Sequence, residues 1–142
     1  MNEPIDLASF VASAADAIVI ADREGRVVLW NGGAEKLFGY SAAEAMGESL
    51  DLVIPERFRA RHWAGFRATM DTGHTRHAGA VLQVPASHKD GRRLSIAFTV
   101  ALLTGADGRV TGIGAILRDD TARWQAEREL RARLSAAEST IA

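Results

Sequence analysis

In Ala17-Ile-Val-Ile-Ala-Asp22-Arg-Glu-Gly25-Arg-Val-Val-Leu-Trp30, two short apolar runs, residues 17–21 and 26–30, flank the turn composition Asp22-Arg-Glu-Gly25. Runs this short around such a turn predict an antiparallel hairpin. Upstream, Leu7, Phe10, Val11 and Ala14 fall at i, i+3, i+4 and i+7, the stripe of an amphipathic helix with Asp6 as N-cap. Downstream the character changes. Residues 34–38 read as a short helix, and Ser41-x-x-Glu44 is a capping box opening another that Gly47 closes. Pro55 starts a longer helix over residues 55–70, ended by Asp71-Thr72-Gly73. Strands are expected over residues 77–84, 92–103 and 109–117, with Asp90-Gly91 and Asp107-Gly108 as hairpin turns between them. Thr121–Ile141 has strong helix formers and neither Gly nor Pro. Two strands, helices, then three strands imply one antiparallel sheet with helices on one face, an α+β fold.

Composition narrows the function. The 142 residues are 47% apolar and 25% charged, with a formal charge of -1. That balance fits a globular domain and offers no basic excess for nucleic acid or a membrane surface. The most apolar window, residues 94–103, is too short to span a bilayer, and the acidic start lacks a signal-peptide pattern. A cytoplasmic domain is expected. The absence of cysteine removes disulfides, thiolate metal sites, Cys nucleophiles and the cysteine chemistry of light-responsive flavin sensors. No Gly-x-Ser-x-Gly, phosphate loop or kinase signature occurs, so an enzyme is not expected.

Asp16-Ala-Ile-Val-Ile-Ala-Asp22, Gly25-Arg-Val-Val-Leu-Trp-Asn31 and Ala34-Glu-Lys-Leu-Phe-Gly-Tyr40-Ser41 together resemble the opening of a PAS sensor domain. Gly47-Glu-Ser-Leu, Ile54-Pro-Glu-Arg57, Asp90-Gly91 and the exit Arg118-Asp-Asp-Thr121 extend the resemblance over roughly residues 10–121. It implies a five-stranded antiparallel sheet with helices clasping a small cavity, and Asn31 tying down the turn into the helices. The family's exit is usually Asp-hydrophobic-Thr, and Asp120 departs from it. The resulting division is an N-terminal cap helix over 1–15, the PAS domain over 16–120 and a signalling helix over 121–142.

His62 is the most informative residue. At about 100° per residue, Phe58, His62, Phe66 and Thr69 project within one narrow sector of the 55–70 helix, which Trp63 and Met70 extend. A histidine on an apolar face is desolvated and neutral, the form that ligates haem iron. Arg61-His62, seven residues after Pro55, resembles the helix carrying the proximal histidine of the rhizobial oxygen-sensor kinases, which are haem-binding PAS domains. On that resemblance Phe58, Phe66, Leu82, Ile96, Phe98 and Val100 line the cofactor, Gly65 leaves it room and Arg76 pairs with a propionate. Those sensors hold bound oxygen with an arginine where this chain has Leu82, which cannot donate. Haem b is the leading cofactor. The alternatives are an empty cavity, a small metabolite, or a non-covalent flavin walled by Trp30, Asn31 and Trp63, with His62 then merely packed.

His74 and His77 have a metal-like spacing but no third ligand, and His88 reads as an exposed hairpin residue. Gly112-Ile-Gly114 lacks a dinucleotide fingerprint and permits close packing instead. In the last helix Leu130, Leu134, Ala137 and Ile141 have coiled-coil spacing, with Glu127–Arg131 and Glu129–Arg133 as i, i+4 pairs. This helix either pairs with a second copy, assisted by the Leu7/Phe10 stripe, or folds back on its own sheet. The expected function is a signal-transduction sensor of the two-component kind, homodimeric through its terminal helices. It would relay a core ligand's state through Asp119 and Thr121 to an output kinase or regulator. The alternative is a ligand-free PAS dimerisation and interaction module.

Overall fold

A computed structural model describes residues 3–75, 77 and 79–141. Asp6 caps α1 (Leu7–Ser13) by accepting the Ser9 N–H at 3.1 Å. The hairpin forms as expected from β1 (Ala17–Asp22) and β2 (Val27–Trp30). Its turn is held by the Asp22 carboxylate, which accepts the N–H groups of Glu24 and Arg26 at 3.0 Å each. Asn31 caps α2 (Gly32–Phe38), and the Ser41–Glu44 box caps α3 (Ala42–Ala45). A 3-10 turn (Leu50–Leu52) leads into α4 (Glu56–Thr72). The remaining elements are β3 (Leu82–Ser87), β4 (Arg93–Thr104), β5 (Val110–Asp119) and α5 (Thr121–Ile141).

The five strands form one antiparallel sheet in the order β2-β1-β5-β4-β3. The last strand therefore lies between the first and the fourth. Alternation sends Ala17 and Val19, Leu94, Ile96 and Phe98, and Leu117 to the face that carries the helices. There they meet Trp30, Ala34 and Phe38 in the main core. Gly112 is needed where β5 passes β1, since a Cβ there would sit 2.5 Å from the Ala21 carbonyl oxygen.

Several boundaries differ from expectation. Asp71 and Thr72 stay in α4, with Pro55 only its N-cap and Gly73 its left-handed end. β3 begins at Leu82 rather than at residue 77, and it runs through Pro85 to Ser87. Proline is tolerated there because β3 is an edge strand, where one missing N–H breaks no second ladder. His88 is not an exposed hairpin residue. Its side chain is 13% exposed and its ring lies against Gly39, where a Cβ would come within 2.4 Å. Asp120 receives the Trp124 N–H on its backbone carbonyl, while its carboxylate accepts from Gln83 at 2.7 Å.

α5 does not fold back over the sheet. Trp124, Leu130 and Leu134 are exposed, as are Ile5, Leu7 and Phe10 at the other end of the chain. Glu127 pairs with Arg123 at 3.2 Å instead of Arg131, whereas the Glu129–Arg133 pair forms at 3.0 Å. Among the described residues no helix is long and apolar enough to cross a membrane.

Candidate functional site

The site is built on α4. Phe66 and Met70 bury the C-terminal half of its apolar face against Val110, with Leu102 and Ile113 alongside. One turn earlier, Trp63 is fixed from two sides. Its Nε1 donates to Asp51 at 2.7 Å, and its ring lies over the β1–β2 turn. A Cβ at Gly25 would come within 2.2 Å of that ring. The same turn reaches α4 again through Arg23, whose guanidinium donates to the carbonyls of Met70 and Val110. Arg59 completes the clamp by donating to the carbonyls of Ile54 at 3.0 Å and Asp51 at 3.2 Å.

His62 sits inside this aromatic frame. Its ring is edge-on to Trp63 at 4.7 Å and tilted against Phe66 at 6.0 Å. The Nδ1 atom is buried without a hydrogen-bond partner. Desolvation pushes the imidazole pKa below its ordinary value, partly opposed by the nearby Asp51 carboxylate, so the ring is neutral at neutral pH.

Across from α4, Ile96 is buried in the main core, whereas Leu82, Phe98 and Val100 are only half-buried. Phe98 faces inward with Leu82 and Leu117 beside it, and Val100 stands next to Ala115. Inward side chains at the centre of a sheet are ordinarily covered. Their partial exposure means that α4 leaves part of the inner face uncovered. Nothing lies within 4 Å of where a Cβ would stand on Gly65. His62, Trp63 and Phe66 are thus brought together, with Phe58 half-buried one turn before His62 on the same face. The β3–β4 residues form the opposite wall without touching the same aromatic cluster. Arg76 lies outside the described residues.

Two expected wall residues are consumed elsewhere. Trp30 is buried on Phe38 at 5.3 Å and donates Nε1 to the Tyr40 carbonyl. Asn31 is 4% exposed, and its amide is fully engaged. Oδ1 accepts the N–H groups of Ile18 and Ala34 at 2.8 and 2.9 Å, and Nδ2 donates to the carbonyls of Val11 and Asp16 at 2.8 and 3.1 Å. Among the described residues no group of three or more His, Asp or Glu could hold a metal, so His74 and His77 form no such site.

At the exit, Thr121 is stitched to β4. Its Oγ1 accepts the Ser95 N–H at 3.0 Å, and its own N–H donates to Asp119 at 2.9 Å. Arg118 reaches back to Asp16 at 2.9 Å, joining the start of β1 to the end of β5.

A family model described as PAS fold matches residues 5–119. The chain belongs to the PAS family. Among curated relatives, the oxygen sensor protein DosP of Escherichia coli is 30% identical over 101 residues, covering 71% of this chain and 12% of DosP. The sensor protein FixL of Bradyrhizobium diazoefficiens is 27% identical over 125 residues, covering 87% of this chain and 24% of FixL. This PAS domain thus spans a quarter or less of either relative. A solved PAS domain from Colwellia psychrerythraea superposes with a TM-score of 0.71 at 24% identity, over 82% of this chain and 95% of that one.

The partnership of Trp63 with Asp51 and Gly25 had no signal in the sequence. Only the place of Trp63 beside the His62 sector pointed towards it.

Proposed function

We propose that this PAS domain is a cytoplasmic sensor module that takes a small ligand or cofactor between α4 and the inner face of β3–β5. It relays the change through α5 to an output kinase or regulator, and it acts by binding rather than turnover. The observation that carries this reading is the buried, unpartnered Nδ1 of His62 beside a half-covered sheet face. Buried polar atoms are normally satisfied, so this orphan leaves a ring nitrogen free for a partner that a ligand could supply.

Haem b suits these residues best. The neutral imidazole would hold the haem iron, and the apolar residues Leu82, Ile96, Phe98 and Val100 would give the group a hydrophobic seat. Bound haem supplies an iron that takes a diatomic gas or changes redox state. Leu82 has no donor to offer a gas held there, so with haem in place the site would favour CO or NO over tightly held oxygen. The chain's own residues do the relaying. A shift of α4 moves Trp63 against Asp51 and the β1–β2 turn, and moves Phe66 and Met70 against β5. From β5 the change reaches Asp119 and Thr121, and so α5.

The absorption spectrum of protein made with haem precursor, and again after reconstitution, tests the cofactor. A Soret band that disappears in His62→Ala is expected. No band from the wild-type chain under either condition overturns haem.

A second reading rests on the exposed apolar residues of the terminal helices, Leu7 and Phe10 on α1 and Trp124, Leu130 and Leu134 on α5. With a second copy covering them, the domain is a homodimeric interaction module with or without a ligand. Light-scattering mass should fall from dimer to monomer in Leu130→Arg/Leu134→Arg. A monomeric wild type refutes this reading.

A further inference from the structure

We propose that the open cleft between the start of α4 and the β3–β4 turn binds a small dianion, either a phosphate monoester or a dicarboxylate. The cleft encloses about 570 Å³ and draws Arg57 from α4 and Arg92 and Arg93 from the far side. Glu56 is the one carboxylate among its lining residues, beside three arginines, one of them paired with Asp90.

Two of those cations are uncommitted. Arg92 leans on Asp90 at 3.2 Å, whereas neither Arg57 nor Arg93 has an ion-pair partner among the described residues. Arg57 is not loose, because its guanidinium stacks over the Phe58 ring at 4.7 Å, which holds it at the rim. Like charges gathered around a concavity raise the local potential for anions, and planar guanidinium groups match the paired oxygens of carboxylate and phosphate. Two free arginines lining one cleft from opposite sides match a dianion in charge. Ser87 adds a hydroxyl to the lining, and Gly91 leaves the mouth clear, with nothing within 4 Å of a Cβ there. This site is separate from His62 and stands whether or not the core binds haem.

Amide spectra of the full chain, titrated with sodium phosphate, with sodium succinate and with sodium chloride at matched ionic strength, test it. Saturable shifts confined to residues 56–58 and 87–93 are expected with phosphate or succinate and not with chloride. A response to phosphate alone assigns the ester, and one to succinate alone assigns the dicarboxylate. Arg57→Glu/Arg93→Glu, at exposed positions, should weaken binding at least tenfold, since a charge-assisted contact is worth about a factor of ten or more. Arg67→Glu, on the exposed side of α4, should leave it unchanged. Shifts that never saturate, that chloride reproduces, or that survive the double charge reversal in a folded variant overturn the proposal.

Discussion

Replacing Gly25 by alanine strikes the site from a distance. Gly25 has φ +77°, and an added Cβ would stand 2.2 Å from the Trp63 ring. Two penalties follow and can be separated. A left-handed backbone costs an alanine about 1–2 kcal/mol. Forcing a packed ring aside costs about 1–3 kcal/mol more, since Trp63 is also held by Asp51. Gly25→Ala should therefore lose about 2–5 kcal/mol in urea unfolding. In a Trp63→Leu background only the backbone term remains, and the cycle should show about 1–3 kcal/mol of coupling. The same substitution should shift the Trp63 indole N–H resonance as its bond to the Asp51 carboxylate is strained, with the His62 ring protons moving alongside. A coupling below about 0.5 kcal/mol, or a His62 spectrum indifferent to Gly25→Ala, refutes the claim that the hairpin turn grips the His62 helix through Trp63.

His62→Leu should be neutral or stabilising in urea, because it replaces a buried unpaired nitrogen with apolar atoms. The wild type should also lose stability relative to that variant as pH falls. The folded-state pKa of His62 is depressed, so its penalty is absent above the unfolded value near 6.5 and grows as pH drops through that value towards the folded one. Parallel pH–stability curves for the two proteins rule this out. Asn31→Ala should cost about 3 kcal/mol, roughly one from the α2 cap and the rest from orphaned partners such as the Ile18 N–H, with faster hydrogen exchange across α1. An α1 as protected as in the wild type contradicts the part given to Asn31. Thr121→Val should cost about 1–2 kcal/mol and speed exchange of the Ser95 amide, whose acceptor it removes. Unchanged exchange there argues against a hydroxyl stitch between α5 and β4.

What was legible in the sequence is what repeats locally. The β1–β2 hairpin and the Ser41–Glu44 box are set by neighbours within four or five residues, and both formed as expected. β3 runs over Leu82–Ser87 where residues 77–84 were expected, and only the sheet order reveals an edge where Pro85 is harmless. The contact that fixes Trp63 beside His62, like the one that buries His88, joins residues far apart in the chain. Trp63 meets Gly25 across 38 positions, and His88 meets Gly39 across 49, with no periodicity to announce either. Glu127 chose Arg123 over Arg131 although both lie four residues away, and spacing alone does not rank the two.

The clamp on α4 and the uncovered sheet face have one consequence together. Trp63 and the Met70 carbonyl tie the helix to the β1–β2 turn, and Phe66 and Met70 pack on Val110 and Ile113 of β5 and on Leu102 at the far end of β4. The C-terminal half of α4 is thereby fixed while the sheet face at Phe98 and Val100 stays half-covered, so on the proposed function a ligand there would act on the helix by tilting it about that end. Any ligand filling that space removes apolar surface from water, at about 25 cal/mol per Å², and selects the tilt at which α4 seats against it. The tilt bears on β5 first, because that is where Phe66 and Met70 press. β5 ends at Asp119, next to the hydroxyl stitch that anchors α5. His62, one turn before Phe66 in the same aromatic cluster, would on the proposed function pass a ligand's pull directly to the contact of Phe66 with β5 and so to the outgoing helix.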